Sequence, residues 1–345
     1  MPTPIREIKS LDRYHVVLET LGYDTVEHFI GAATPAGHPL KPYLGETAIA
    51  VLNKLTCGSS PPAFNARAEF PLGTRLDRIP KEKWRRGGYI DFATIPKINF
   101  AANLKSNVNL IDMRLPIRDQ GKKRGTCVAH ATVAVYENFL LRKREIVQEM
   151  SEQFMNFLCK ENNNTTEGTF LGISFPKLSQ SGCCLEETWP YNPEPIPGNF
   201  SQKPAPAQAV AQANTFSNQA PFDFLGVDTP TPNSVMEIRA RLADDRCVAV
   251  SIPAFNSWYN SPAVIETGDI VMPGPAEVAD YLGHSICLIG YMDLPDSPIL
   301  GGGRFIVRNS WGERWGKSSS FGPGYGTIPY GFIQAHCTEA FAITP

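Results

Sequence analysis

The chain has 345 residues, with 32 basic and 34 acidic side chains and a formal net charge of −2. That balance gives no electrostatic reason to expect nucleic acid or an anionic membrane surface as a partner. No apolar run approaches the roughly 20 residues a membrane span needs, and Met1-Pro-Thr-Pro-Ile-Arg-Glu-Ile-Lys opens on mixed polar sequence without the apolar core of a cleavable leader.

Residues 1–56 read as a small helical domain. Leu11, Tyr14, Val17, Leu18 and Leu21 fall at helical spacing, and Gly22 supplies a stop. Asp24-Thr25-Val26-Glu27 resembles a capping box that opens a second helix through Phe29 and Ile30, and a third runs from about Glu46 to Leu55. Periodicity then dissolves. Residues 57–103, with the linker Gly58-Ser59-Ser60-Pro61-Pro62, read as extended chain lying over the domain that follows.

The third region, 104–345, is richer in strands and glycine. Val128, Ala131, Val135, Phe139 and Leu140 mark one face of a helix directly after Cys127. A proline-rich stretch from Pro190 to Pro206 follows. A helix through Met236, Ile238, Leu242 and Ala243 leads into a strand from Cys247 to Pro253. Two apolar strands, Ser285 to Tyr291 and Arg304 to Val307, precede a Gly/aromatic tail. Helices first and sheet second make an α+β layout.

Three side chains stand out against this frame. Cys127 sits at the predicted start of a helix, where the dipole, and an imidazolium nearby, lower a thiol's pKa. His284 follows 157 residues later in Gly283-His284-Ser285, and Asn309 follows 25 after that, behind the second apolar strand. A thiol, an imidazole and an amide form the set that a cysteine nucleophile needs with its base and orienter, at separations close to those of papain-type enzymes. His130, one helical turn after Cys127, lacks further ligands at matching positions and reads as a packed histidine. Lys122-Lys123-Arg124 reads as a solvated loop. Without a leader the eight cysteines are expected as free thiols, mostly small core residues, in a cytoplasmic protein or one exported by another route.

Taken together, the motifs resemble those of papain-like cysteine peptidases. Arg118-Asp119-Gln120-Gly121 and Gly125-Thr126-Cys127-Val128-Ala129 are similar to the nucleophile motif, Ser151-Glu152-Gln153 to the segment after its helix, and Gly283-His284-Ser285-Ile286 to the base motif. Arg308-Asn309-Ser310-Trp311-Gly312, Trp315-Gly316 and Gly324-Tyr325-Gly326 resemble the C-terminal signature.

The resemblance implies a helical left subdomain and a β-barrel-like right subdomain, with Cys127 and His284 on opposite walls of a cleft. It implies an endopeptidase that forms an acyl-enzyme on Cys127, with polypeptide substrates and no metal or organic cofactor. His284 would be base and then acid, Asn309 its orienter, and Trp311 a shield for their bond. Gln120 and the Cys127 N–H would form the oxyanion hole, while Leu282 and Gly283 would line the substrate site beside Trp311. Gln120 stands seven residues before Cys127, one more than the family pattern, and Arg124 replaces a cysteine of a family disulfide. Val128 stands where an aromatic is usual, and the loop Lys317 to Pro323 is long.

Two rivals share the residues: an acyl transferase using the same dyad, and a silent scaffold used for binding. The N-terminal region is expected to restrain the enzyme as an unusual prosegment lying across the cleft, the alternative being a module that binds a protein partner.

Overall fold

The computed structural model describes residues 70–75, 104–160, 166–217, 220–225, 232–273, 277, 279–280, 282–295 and 300–345. The predicted helices of residues 1–56 and the Gly58–Pro62 linker lie outside the described residues. Two short strands, β1 (Thr74–Arg75) and β2 (Asn107–Asn109), precede α1 (Cys127–Arg144). This helix is buried on every face from Cys127 to Leu141, which its run of small and apolar residues permits. Its last turn carries Arg142, Lys143 and Arg144 against the negative end of the dipole. Helices α2 (Glu152–Cys159) and α3 (Leu171–Ser181) pack on it, and α4 (Ala207–Asn214) completes the helical half. Ser151 caps α2 by accepting the Phe154 N–H at 3.0 Å.

The rest of the chain is β3 (Phe222–Phe224), α5 (Pro232–Ala243), β4 (Val248–Pro253), α6 (Asn256–Tyr259), α7 (Pro262–Thr267), β5 (Leu282–Asp293), β6 (Gly303–Arg308), β7 (Tyr325–Pro329), α8 (Tyr330–His336) and β8 (Glu339–Ile343). The strands form one open antiparallel sheet in the order β3-β8-β4-β5-β6-β7, with β1 and β2 also on β5. The layout is α+β, as the sequence pattern implies.

One consequence of register positions the site. β6 pairs with β5 only from Cys287 to Asp293 and leaves the sheet at Asn309. The first residues of β5 are paired with β4 on one edge and are left open on the other. β1 takes the open edge, with Thr74 opposite Gly283 and Arg75 opposite Leu282. Further along, the β5–β6 register shifts at Ile289, and at the next residue, Gly290, an added Cβ would lie 2.3 Å from the Val108 carbonyl of β2.

The tail after Gly324 resolves into β7, α8 and β8. β7 is buried at all five residues, so it offers no polar alternation to read. α3 was hidden by Pro176 in its interior, and burial of Leu171, Phe175 and Leu178 overrides that unfavourable residue. Among the described residues no helix is long and apolar enough to cross a membrane.

His336 closes α8 against the rings of Phe255 and Phe332, and burial lowers its pKa from 6.5 to about 4. The unfolded chain therefore binds a proton here that the native state refuses, so stability falls as pH drops from 6.5 towards 4. In urea titrations, His336→Phe should gain stability relative to the parent across that window. A difference between the two curves that stays constant with pH would contradict the assignment.

Candidate active site

His284 and Asn309 meet where β5 and the end of β6 adjoin, and Cys127, at the start of α1, takes a hydrogen bond from the N–H of Ser285 beside His284. Asn309 Oδ1 accepts from His284 Nε2 at 2.8 Å and from the Ser310 N–H at 2.8 Å. Two donors converge on that atom, so Nε2 carries the proton and Nδ1 of the neutral ring presents its lone pair. Among the described residues Nδ1 makes no hydrogen bond. A lone pair free of other partners is what a general base requires.

The bond is sealed from water. Trp311 lies over the imidazole with ring centroids 4.3 Å apart, and Trp258 packs 5.5 Å from both rings. Trp311 thus stands where the sequence placed it. Trp258, on the one-turn helix α6, lacks any motif that could have announced it.

Gln120 is held at three points. Its Oε1 accepts from Ser310 Oγ at 2.6 Å, and Nε2 donates to the Arg124 carbonyl at 2.9 Å and the Pro71 carbonyl at 3.0 Å. The loop turns at Gly121, at φ +77°, whose N–H bonds Asp119 Oδ1 at 2.7 Å. One amide proton is therefore spoken for by the protein, and the other points at a carbonyl of the 70–75 segment.

That segment fills the cleft. Trp311 Nε1 also donates to the Pro71 carbonyl, at 3.3 Å, and Phe70 packs on the Trp311 ring at 4.9 Å. Gly73 donates its N–H to Gly283 at 3.2 Å and accepts from the Thr169 N–H at 3.0 Å, and Arg75 donates to the Thr169 carbonyl at 3.0 Å. Thr74 Oγ1 lies 3.5 Å from Cys127 Sγ. From Thr74 a chain of hydroxyls runs through Ser285 (2.6 Å) and Ser251 (2.9 Å) to the Glu339 carboxylate (3.0 Å). Gly283 and Leu282, the expected substrate-site residues, are thus paired with the segment. The opposite wall, Gly168-Thr169, went unread in the sequence. Gly168 sits at φ +83°, and a Cβ there would be 2.6 Å from the Gly73 carbonyl.

The electrostatics differ from the expectation of an activated thiol. With the segment in place Cys127 is wholly buried, and burial pushes its thiol up. Hydrogen bonds from Thr74 and from the N–H groups of Ser285, Gly73 and Val128 oppose this with smaller effect. Burial likewise lowers the His284 pKa to about 4, against the Asn309 bond that raises it. The covered pair is a neutral thiol beside a neutral imidazole.

Two further expectations are resolved. His130 donates Nδ1–H to the Thr126 carbonyl at 3.0 Å and meets the Tyr191 ring edge-on, a packed core histidine. Of the basic triplet, Lys123 pairs with Glu194 near the surface, but Arg124 turns inward and is fully buried rather than solvated. Every described cysteine is a free, buried thiol.

The model of the papain family of cysteine proteases matches residues 109–331, more than half of the chain. The chain belongs to the papain family. An uncharacterized peptidase C1-like protein of Acanthamoeba polyphaga mimivirus is 26% identical over 264 residues, covering 70% of this chain and 76% of its own. The senescence-specific cysteine protease SAG12 of Arabidopsis thaliana is 25% identical over 205 residues, and this chain spans only 51% of its length. Among solved structures, xylellain, a cysteine protease from Xylella fastidiosa, superposes with a TM-score of 0.57 at 23% identity. The match covers 77% of this chain and 98% of that one, which shows a shared fold.

Asn309→Ala removes an orienting bond and no reacting group, so it should lower kcat by about 10²-fold or less, well short of the loss in His284→Ala. Steady-state hydrolysis of a small peptide checks the order. Equal losses in the two variants would mean that Asn309 does more than hold the ring.

Proposed function

We propose that this papain-family protein is a cysteine endopeptidase kept latent by its own residues 70–75. In the working enzyme the Cys127 thiol gives its proton to His284 Nδ1 and attacks the peptide carbonyl. Negative charge on that oxygen meets the Gln120 amide and the Cys127 N–H at the start of α1. The C–N bond breaks, His284 returns the proton to the leaving amine, and a thioester remains on Cys127. His284 then draws a proton from water, whose oxygen attacks the thioester; the C–S bond breaks, the carboxylic acid leaves, and His284 returns the proton to the Cys127 sulfur. Asn309 keeps the ring in the tautomer this sequence of steps needs.

The observation that carries the reading is the path of the 70–75 segment. It runs along the cleft from Trp311 to the wall at Thr169 and bonds both walls through its backbone, as a bound substrate peptide would. The segment is also poorly placed to be cut. Its carbonyl at the Gln120 amide belongs to Pro71, while Gly73 and Thr74 face the thiol. The residue at the oxyanion donor is thus a different one from those at the thiol. Chain that fills the cleft must leave before substrate enters, so apparent affinity falls with the fraction of open molecules.

Gly73 is the tightest point of this fit, since a Cβ there would lie 2.0 Å from the Gly125 carbonyl. Gly73→Ala in the full chain should expel the segment, raising Cys127 alkylation and kcat/KM on a small peptide together by about tenfold or more. A folded variant that reacts at the parent rate would rule out restraint. Cys127→Ala and His284→Ala should each abolish turnover, and the double variant should be little worse, because the pair acts as a unit. Multiplying losses would contradict the dyad.

A further inference from the structure

Arg124 lies three residues before the nucleophile and is wholly buried. Its Nε donates to Glu167 Oε1 at 3.0 Å, Nη1 to Gln153 Oε1 at 3.0 Å and to the Asn192 carbonyl at 2.9 Å, and Nη2 to the Phe200 carbonyl at 2.8 Å. The guanidinium also stands over the Tyr191 ring at 5.5 Å. A planar fork of fixed donors suits a junction of this kind, where lysine would reach fewer partners. Its backbone joins in, since the Arg124 carbonyl is one of the two that hold the Gln120 amide.

Glu167 sits at the other end of the pair, directly before Gly168-Thr169, the wall that hydrogen-bonds an extended peptide in the cleft. The same turn is gripped from a second side. Lys160, itself buried, donates Nζ to the Thr166 carbonyl at 2.6 Å and to the Gly168 carbonyl. The wall is therefore suspended between two buried cations, and only Arg124 belongs to the loop that carries Gln120 and Cys127. An added Cβ on Gly125 would lie 3.3 Å from the Glu167 Cβ, so loop and wall are already in close contact there.

We propose that the Arg124–Glu167 ion pair sets the spacing between the nucleophile loop and the peptide-binding wall, making both side chains positioning residues for substrate. This rests on the cleft being the peptide site proposed above. A bond to a charged partner is worth about a tenfold change or more in an equilibrium when lost. Loosening the wall should weaken whatever peptide lies on it, whether substrate or the 70–75 segment. A small alkylating reagent at Cys127 has no use for the wall.

The test is Glu167→Gln in the full chain, with Arg124→Met and Arg124→Lys beside it, each checked for an intact thermal transition. Iodoacetamide alkylation of Cys127 should quicken by about tenfold in Glu167→Gln, because the covering segment loses its hold. The ratio of kcat/KM to the alkylation rate, which cancels the open fraction, should fall by about tenfold while kcat stays within about twofold. Arg124→Lys should keep more of that ratio than Arg124→Met. If Arg124→Met does not fold, Glu167→Gln still decides. A folded Glu167→Gln with alkylation and ratio unchanged overturns the proposal, as does a ratio preserved while alkylation rises. Faster alkylation without peptide turnover in any form would support the clamp on the wall and count against the peptidase reading instead.

Discussion

The site exists because β5 is longer than the strand beside it. β6 stops opposite Cys287, so the first residues of β5 present backbone donors and acceptors with no strand on that edge. Such an edge invites another chain to pair with it. His284 stands on this edge, the buried N-terminus of α1 brings Cys127 to it, and Gly168-Thr169 supplies a facing wall. Any extended peptide that satisfies both walls is carried past the thiol. In this structure that peptide is the protein's own 70–75 segment.

Covering the site changes its chemistry as well as its access. A thiolate and an imidazolium each need polar surroundings. Beside Cys127 the segment offers only the Thr74 hydroxyl and the Gly73 N–H, and burial dominates the ionisation of both Cys127 and His284. The neutral pair that results is less nucleophilic than the ion pair, and His284 Nδ1 is left idle. Latency in this account is steric and electrostatic at once. The aromatic cage of Trp311 and Trp258 holds the imidazole ready throughout, since the Asn309 bond does not involve the segment.

The sequence was most informative where chemistry demands particular residue types at particular places. Cys127, His284, Asn309 and Gln120 could each be read with a role; the structure joins His284 to Asn309 directly, ties Gln120 to the neighbouring Ser310, and sets Cys127 at the Ser285 N–H. The strands around them were legible where β5 and β6 are long and apolar. β7 and α3 were not: one is buried on every residue and the other carries Pro176, so neither shows a clean period. The 70–75 segment could be expected only as extended chain over the next domain, because most of what it offers its partners is backbone N–H and C=O, which any residue could supply. Its two demanding contacts, Gly73 against Gly125 and Gly168 against Gly73, depend on side chains that are missing. Arg124 misled for a related reason. It follows two lysines and resembles a solvated triplet, and only the fold shows four acceptors waiting inside.

The claim on which this account turns is that Thr74 lies against the nucleophile in the resting full-length protein. Its Oγ1 is 3.5 Å from Cys127 Sγ, close enough for a thiol placed there to be oxidised onto the nucleophile. Thr74→Cys, treated with oxidised glutathione and digested without reductant, should yield a disulfide-linked peptide pair joining residues 74 and 127, with turnover regained on reduction. Mass spectra showing Cys127 freely glutathionylated and unlinked to residue 74 would contradict it.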